Sequence, residues 1–234
     1  MKTGKVQQVY KRGNRPGRRT ADQPKHLDRK QGPLARTPSQ QKNPYKNPQK
    51  NPLYIALFKP YGMLSQYTGE ENQRTLRELD LPAGVYAAGR LDQDSEGLLL
   101  LSNDGPFIDR LIHPRNGHSR SYLVQVERVP DAAALQKLRD GILIKGYQTR
   151  PCKVELLPEA PCLPLRDPPI RERKNIPTAW LRMTLTEGKN RQVRRMTAAA
   201  GYPTLRLVRE SIGKLMLGEL LPGQWKSVLP EDII

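Results

Sequence analysis

A run of four leucines, Leu98–Leu101, sits directly behind a loop crowded with charge, and this juxtaposition restricts the fold more than any other feature of the chain. From Val85 a β-prone stretch runs into Gly89-Arg90-Leu91-Asp92-Gln93-Asp94-Ser95-Glu96-Gly97. The leucines follow, and Ser102-Asn103-Asp104-Gly105 closes the unit. Two strands of buried character therefore flank a loop loaded with carboxylates and one arginine. Loops held between rigid strands are where folds place binding and catalytic groups. On an extended backbone Asp92 and Asp94 share a face; on an irregular loop only one need point inward. Taken alone, the segment is also an ordinary hydrophilic turn.

A second segment changes the balance. In Glu187-Gly188-Lys189-Asn190-Arg191-Gln192-Val193-Arg194-Arg195-Met196 a strand ends, Gly188 turns the chain, and a helix starts among cationic side chains. Helix N-termini bind phosphate, and arginine offers a planar, permanently charged partner for a carboxylate. Arg191 and Arg195 are also readable as a solvated basic face. Arg194, between Val193 and Met196, lies near the apolar side of the helix.

The rest of the chain from Leu53 alternates short β-prone runs with turns and a few short helices. Strands are expected at 54–58, 85–88, 98–102, 122–127, 153–157, 180–186, 204–209 and 226–229, and helices at 75–79, 107–112, 131–140 and 192–200. Asp131 as N-cap and Gly141 as C-cap bound the third helix. Strand-rich order with scattered helices argues for an α+β fold with a mixed, mainly antiparallel sheet. Residues 158–177 are dense in proline and carry the cluster Arg171-Glu172-Arg173-Lys174. They read as a functional surface loop or as a linker between two halves of a sheet.

Residues 1–52 have another texture. They are poor in apolar residues and rich in proline, glycine, glutamine and lysine, with a repeat at Lys42-Asn43-Pro44, Lys46-Asn47-Pro48 and Lys50-Asn51-Pro52. Such a segment buries too little to offset the entropy of ordering and is expected to be a disordered basic arm, leaving 53–234 as the folded domain. Residues 1–50 hold 14 of the 40 Lys and Arg residues with only Asp22 and Asp28 as acids, and so supply most of the net charge of +17. A chain this basic seeks a polyanion, because each neutralised phosphate releases counterions. No apolar stretch approaches the ~20 residues of a bilayer span, and no secretory signal opens the chain. A cytoplasmic protein without a membrane is expected. Cys152 and Cys162, with His26, His113 and His118, complete no zinc spacing, so no metal is expected.

Gly89-Arg90-Leu91-Asp92, continued through Ser95–Gly105, resembles the signature of the RsuA-like pseudouridine synthases. Lys59-Pro60-Tyr61-Gly62, Tyr122 in Ser121-Tyr122-Leu123-Val124, and Gly188–Met196 match that family's other motifs in order. Residues 171–177 and 85–89 bring the chain closest to the E group of the large-ribosomal-subunit enzymes, and the likeness covers roughly residues 53–230. The resemblance implies two similar αβ halves joined across one sheet with a central cleft. It implies isomerisation of a uridine to pseudouridine in large-subunit (23S) ribosomal RNA, without a cofactor. Position by position it makes Asp92 the nucleophile, Tyr122 the aromatic packed on the target base, and Arg194 the salt-bridge partner of Asp92. Lys59, Arg90, Lys189, Arg191 and Arg195 are expected to bind the RNA. A monomer is expected. The competing reading, a non-catalytic ribosomal RNA-binding or assembly protein, accounts for the charge and the arm. It leaves unexplained an acidic loop beside apolar strands, which would repel a phosphate backbone.

Overall fold

The structure, a computed structural model, describes residues 51–170 and 176–234. The expected basic arm, apart from Asn51 and Pro52, and the Arg171–Lys174 cluster lie outside the described residues. The elements are β1 (Tyr54–Lys59), β2 (Tyr86–Ala87), β3 (Glu96–Ser102), α1 (Gly105–Ile112), β4 (Arg120–Glu127), α2 (Ala132–Asp140), β5 (Leu143–Ile144), β6 (Tyr147–Gln148), β7 (Lys153–Leu156), β8 (Thr178–Leu185), α3 (Gln192–Ala199), β9 (Thr204–Ile212), β10 (Leu215–Met216) and β11 (Trp225–Ser227). Among the described residues nine strands form one sheet, along the path β11-β1-β3-β9-β4-β8-β7 with β2 beside β3 and β10 beside β9. Its pairs are antiparallel except β3 with β9, so the mixed, mainly antiparallel α+β architecture is present.

The parallel pair is the seam between two halves. On one side stand β11, β1 and β3; on the other, β9, β4, β8 and β7. The leucine run explains the first half, because Leu98–Leu101 is buried on both faces. Leu98 and Leu100 meet Phe107, Ile108 and Leu111 of α1, whereas Leu99 and Leu101 meet Met63, Leu76, Val85 and Leu91. The second half packs Val124, Val126, Leu181 and Met183 of its strands against Leu135 and Leu138 of α2 and Val193 and Met196 of α3. Each fully buried side chain of this kind contributes roughly 1.5–3 kcal/mol.

Local chemistry fixes the helix ends. The Asp104 carboxylate accepts the Phe107 amide at 3.0 Å and starts α1. Asp131 accepts from Ala134 at 2.7 Å and starts α2, which ends at Gly141 as expected. The expected helix at 75–79 is a single 3-10 turn, Leu76–Glu78, closed by a capping box between Thr75 and Glu78. Its brevity follows from the few residues between that cap and Pro82, which cannot donate a helical hydrogen bond. The expected strand at 85–88 shortens to β2. The β5–β6 hairpin, absent from the sequence reading, turns on Lys145 and Gly146, both at positive φ (48° and 77°).

Candidate active site

The loop before β3 stands at the seam, and the segment after β1 holds it in place. Ser65 Oγ donates to the Leu91 carbonyl at 2.8 Å and accepts the Leu91 amide at 3.0 Å. Gly62 donates its amide to the Gln93 carbonyl at 2.9 Å, and the Gln93 side chain returns a bond to the Gly62 carbonyl at 3.1 Å. Lys59 donates to the carbonyls of Pro60 (2.8 Å), Met63 (2.6 Å) and Gln93 (3.4 Å). These bonds satisfy an irregular loop that would otherwise move.

The fully buried ammonium of Lys59 corrects the expectation that it binds RNA. All three of its donors are spent on backbone oxygens, so none is left for a phosphate. Burial pushes its pKa down to about 7, against the pull of Glu96 and Asp94.

Across the loop lies the start of α3. Arg191 caps that helix in the left-handed region, φ 52° and ψ 34°, a conformation costing about 1–3 kcal/mol in a residue with a Cβ. The Gln192 side chain accepts the Lys189 amide at 2.9 Å and donates to Glu187 at 2.6 Å. Glu187 also accepts from the Tyr147 hydroxyl at 2.6 Å and from the Arg150 amide at 2.9 Å. The hairpin that carries Tyr147 is thereby tied to the helix that carries the arginines.

Arg191 forks onto Asp94, Nη1 to Oδ1 and Nη2 to Oδ2, both at 2.8 Å, and its Nη1 lies 3.8 Å from Asp92 Oδ2. Arg194 also turns to Asp94, with Nη2 2.5 Å from the main-chain oxygen and Nε 3.4 Å from Oδ2. The expected pairing of Arg194 with Asp92 is therefore corrected: Asp94 is its partner, and the cation beside Asp92 is Arg191. Position along the helix explains this, since Arg191 sits at the α3 N-terminus facing the loop tip and Arg194 one turn deeper. Burial works to raise the Asp94 pKa, but the Arg191 hydrogen bonds and the charges of Arg194 and Arg191 outweigh it and hold the carboxyl below its ordinary range.

A cleft of about 580 Å³ opens between the loop and α3. Asp92, Tyr122, Arg90, Lys189 and Arg191 line it, as do Ser95, Arg209, Leu185, Val193 and Leu207; Asp94, Arg194 and Arg195 do not. Of the two aspartates, Asp92 is the one offered to a ligand. Arg90 is exposed at the cleft wall, and Lys189 lies 4.6 Å over the Tyr147 ring. Arg195 is directed to Asn190 instead.

Among the described residues four buried side-chain polar atoms lack a hydrogen-bond partner; three of them, Ser95 Oγ, Arg194 Nε and Arg209 Nη2, belong to this site. Unpaired buried polar atoms are costly and concentrate where a fold serves binding rather than its own stability. Sequence reasoning missed Ser95, Glu187, Gln192 and Arg209 as site residues. Only Arg209 carries a signal, as a charge that with Arg206 interrupts the apolar positions Leu205, Leu207 and Val208. Among the described residues no group of side chains is arranged to hold a metal, and no helix is long and apolar enough to cross a membrane.

Residues 53–199 match the family model described as RNA pseudouridylate synthase. The chain is 55% identical over 176 residues to ribosomal large subunit pseudouridine synthase E of Xanthomonas campestris pv. campestris, covering 74% of this chain and 94% of that one. It is 33% identical over 193 residues to ribosomal large subunit pseudouridine synthase B of Bacillus subtilis, covering 82% and 74%. A crystal structure of a pseudouridylate synthase superposes with a TM-score of 0.64 at 28% identity, over 78% of this chain and 72% of the other.

Proposed function

The chain belongs to the RNA pseudouridylate synthase family, and from that premise we propose that it isomerises one uridine of large-subunit ribosomal RNA with Asp92 as the carboxylate that engages the ribose. The observation that carries the residue assignment is the split between the two aspartates. Asp92 lines the cleft beside a single arginine, whereas Asp94 is consumed by two. The substrate class is supported by the names of the similar bacterial enzymes.

The reaction breaks the bond from uracil N1 to the ribose anomeric carbon and makes a bond from C5 to that carbon. C5 gives up its proton and N1 gains one, so atoms and electrons balance without redox change or water. The chain's own groups suffice for the positioning this needs. A flipped base leaves its stack and is repaid by packing on Tyr122, about 1–3 kcal/mol for such a stack. Asp92, with the Arg191 guanidinium 3.8 Å away, stands ready for the sugar. Arg90 and Lys189 meet phosphate at the cleft wall. The enzyme works as a monomer in the cytoplasm.

The experiment is a comparison of ribosomal RNA from cells with and without the gene, read by carbodiimide-dependent reverse-transcription stops. Loss of one stop in the large-subunit RNA is expected. An unchanged pattern would overturn the proposal.

A further inference from the structure

Arg209 is 3% exposed, and among the described residues no carboxylate pairs with it. Its Nε donates to the Leu98 carbonyl at 2.7 Å, its Nη2 is without a partner, and its titratable and charged neighbours are the Tyr122 phenol and Arg120. A buried guanidinium lacking a counter-charge is an expensive arrangement. The same strand shows the ordinary solution: Arg206 forks onto Glu96 at 3.0 and 2.8 Å. Three residues apart on a strand, the two arginines project to opposite faces. Arg206 braces the back of the seam, and Arg209 faces the cleft.

The backbone is shaped around this residue. Tyr122 and Arg209 are direct partners across β4 and β9, and the register slips by one residue between Ser121 and Tyr122. Such a bulge re-aims the side chain that follows it. On the other flank Gly97 is the parallel partner of Arg209. Gly97 has φ +97°, and a Cβ there would lie 2.4 Å from the Arg209 oxygen and 2.6 Å from its nitrogen. Only glycine lets β3 and β9 approach so closely. Gly97, Arg209 and Tyr122 thus form one row across the seam, a few residues beyond Asp92.

We infer that Arg209 is a positioning residue for Tyr122 and acts through its hydroxyl. A guanidinium has only donors, so the hydroxyl that faces it must accept. The phenol proton then turns away from Arg209 and toward the cleft. Tyr122 meets the flipped nucleotide as a hydrogen-bond donor as well as a packing surface, with its ring fixed by the bulge and its hydroxyl rotor by Arg209. Orientation of this kind raises the rate of the bound complex rather than the affinity for RNA. The inference rests on the reading of the cleft as the uridine site.

The test is a double-mutant cycle on the full chain, using Arg209→Met, Tyr122→Phe and the pair, with single-turnover pseudouridine formation on large-subunit ribosomal RNA and RNA affinity by filter binding. Arg209→Met should slow turnover by about tenfold to a hundredfold, with affinity held within about threefold. In the Tyr122→Phe background the same change should slow turnover by less than about threefold, because the hydroxyl it serves is gone. Arg209→Lys, which keeps charge and stem, should restore part of the rate, and it takes the place of Arg209→Met in the cycle if that variant does not fold. Equal losses in both backgrounds, or a loss of affinity as large as the loss of rate, would overturn the inference. A wild-type protein that converts no uridine would overturn the functional reading together with it.

Discussion

Arg191 grips Asp94 by both oxygens at 2.8 Å, and the same guanidinium edge lies 3.8 Å from Asp92. One carboxylate holds the arginine so that the other can keep it as a neighbour. Asp94 is then a positioning residue. Asp94→Asn should lower single-turnover rate by about tenfold while leaving measurable activity, since a neutral amide holds the fork less tightly. Arg191→Lys should do at least as much harm, because lysine has no two-point geometry. Wild-type rates in both variants would show that the fork has no part in catalysis.

The back of the seam depends on Glu96 and Arg206. The pair is buried, doubly hydrogen-bonded, and linked through Arg206 Nη2 to the Pro164 carbonyl at 2.9 Å. Breaking it one-sidedly strands a charge in the interior. Arg206→Met should cost about 3–5 kcal/mol in chemical denaturation, and Glu96→Leu combined with Arg206→Met should recover much of that. A loss under about 1 kcal/mol in the single variant would show that water reaches the pair.

Lys59 gives the protein a pH signature. The folded group titrates near 7 because burial disfavours its charge, and the unfolded group near its ordinary 10.5. Between those values the unfolded chain binds a proton that the folded chain has released, so the Lys59 contribution to stability becomes more favourable as pH rises. Its unfavourable share is fully present below 7. Denaturation of the wild type and of Lys59→Met at pH about 6 and about 9.5 should show the difference moving in favour of the wild type at the higher pH. Parallel curves would mean that the ammonium stays charged in the fold.

The fold is legible where its causes are local. Asp131 and Gly141 bound α2 because caps act within one turn, and Leu98–Leu101 announces a strand buried on both faces. Asp92 and Tyr122 are legible by resemblance, and both line the cleft. What is not legible depends on closure between distant segments. Arg194 meets Asp94 rather than Asp92 because of how α3 is rotated against a loop 100 residues earlier. Lys59 reads as a phosphate ligand until the 91–95 loop folds over it. Arg209 acquires a role only when the bulge at Tyr122 and the glycine at 97 bring three strands into one row.

Residues 1–50 carry most of the net positive charge, and every residue of the site lies beyond them. Deleting them should leave a folded, active enzyme that binds RNA more weakly, with a flatter dependence of log affinity on log salt concentration. An unchanged salt slope would assign the arm to solubility. Loss of folding would place the domain boundary earlier than Leu53.

Asp92→Asn tests the central claim most directly, because it keeps the shape of the side chain while removing its charge and the carboxylate proposed to engage the ribose. Purified variant and wild type are incubated with unmodified large-subunit ribosomal RNA, and pseudouridine is counted by carbodiimide-dependent stops alongside RNA affinity. The expected result is no product from the variant, with affinity equal to wild type or slightly higher, as a negative charge beside phosphate has gone. Pseudouridine formed by Asp92→Asn at near wild-type rate would contradict the account.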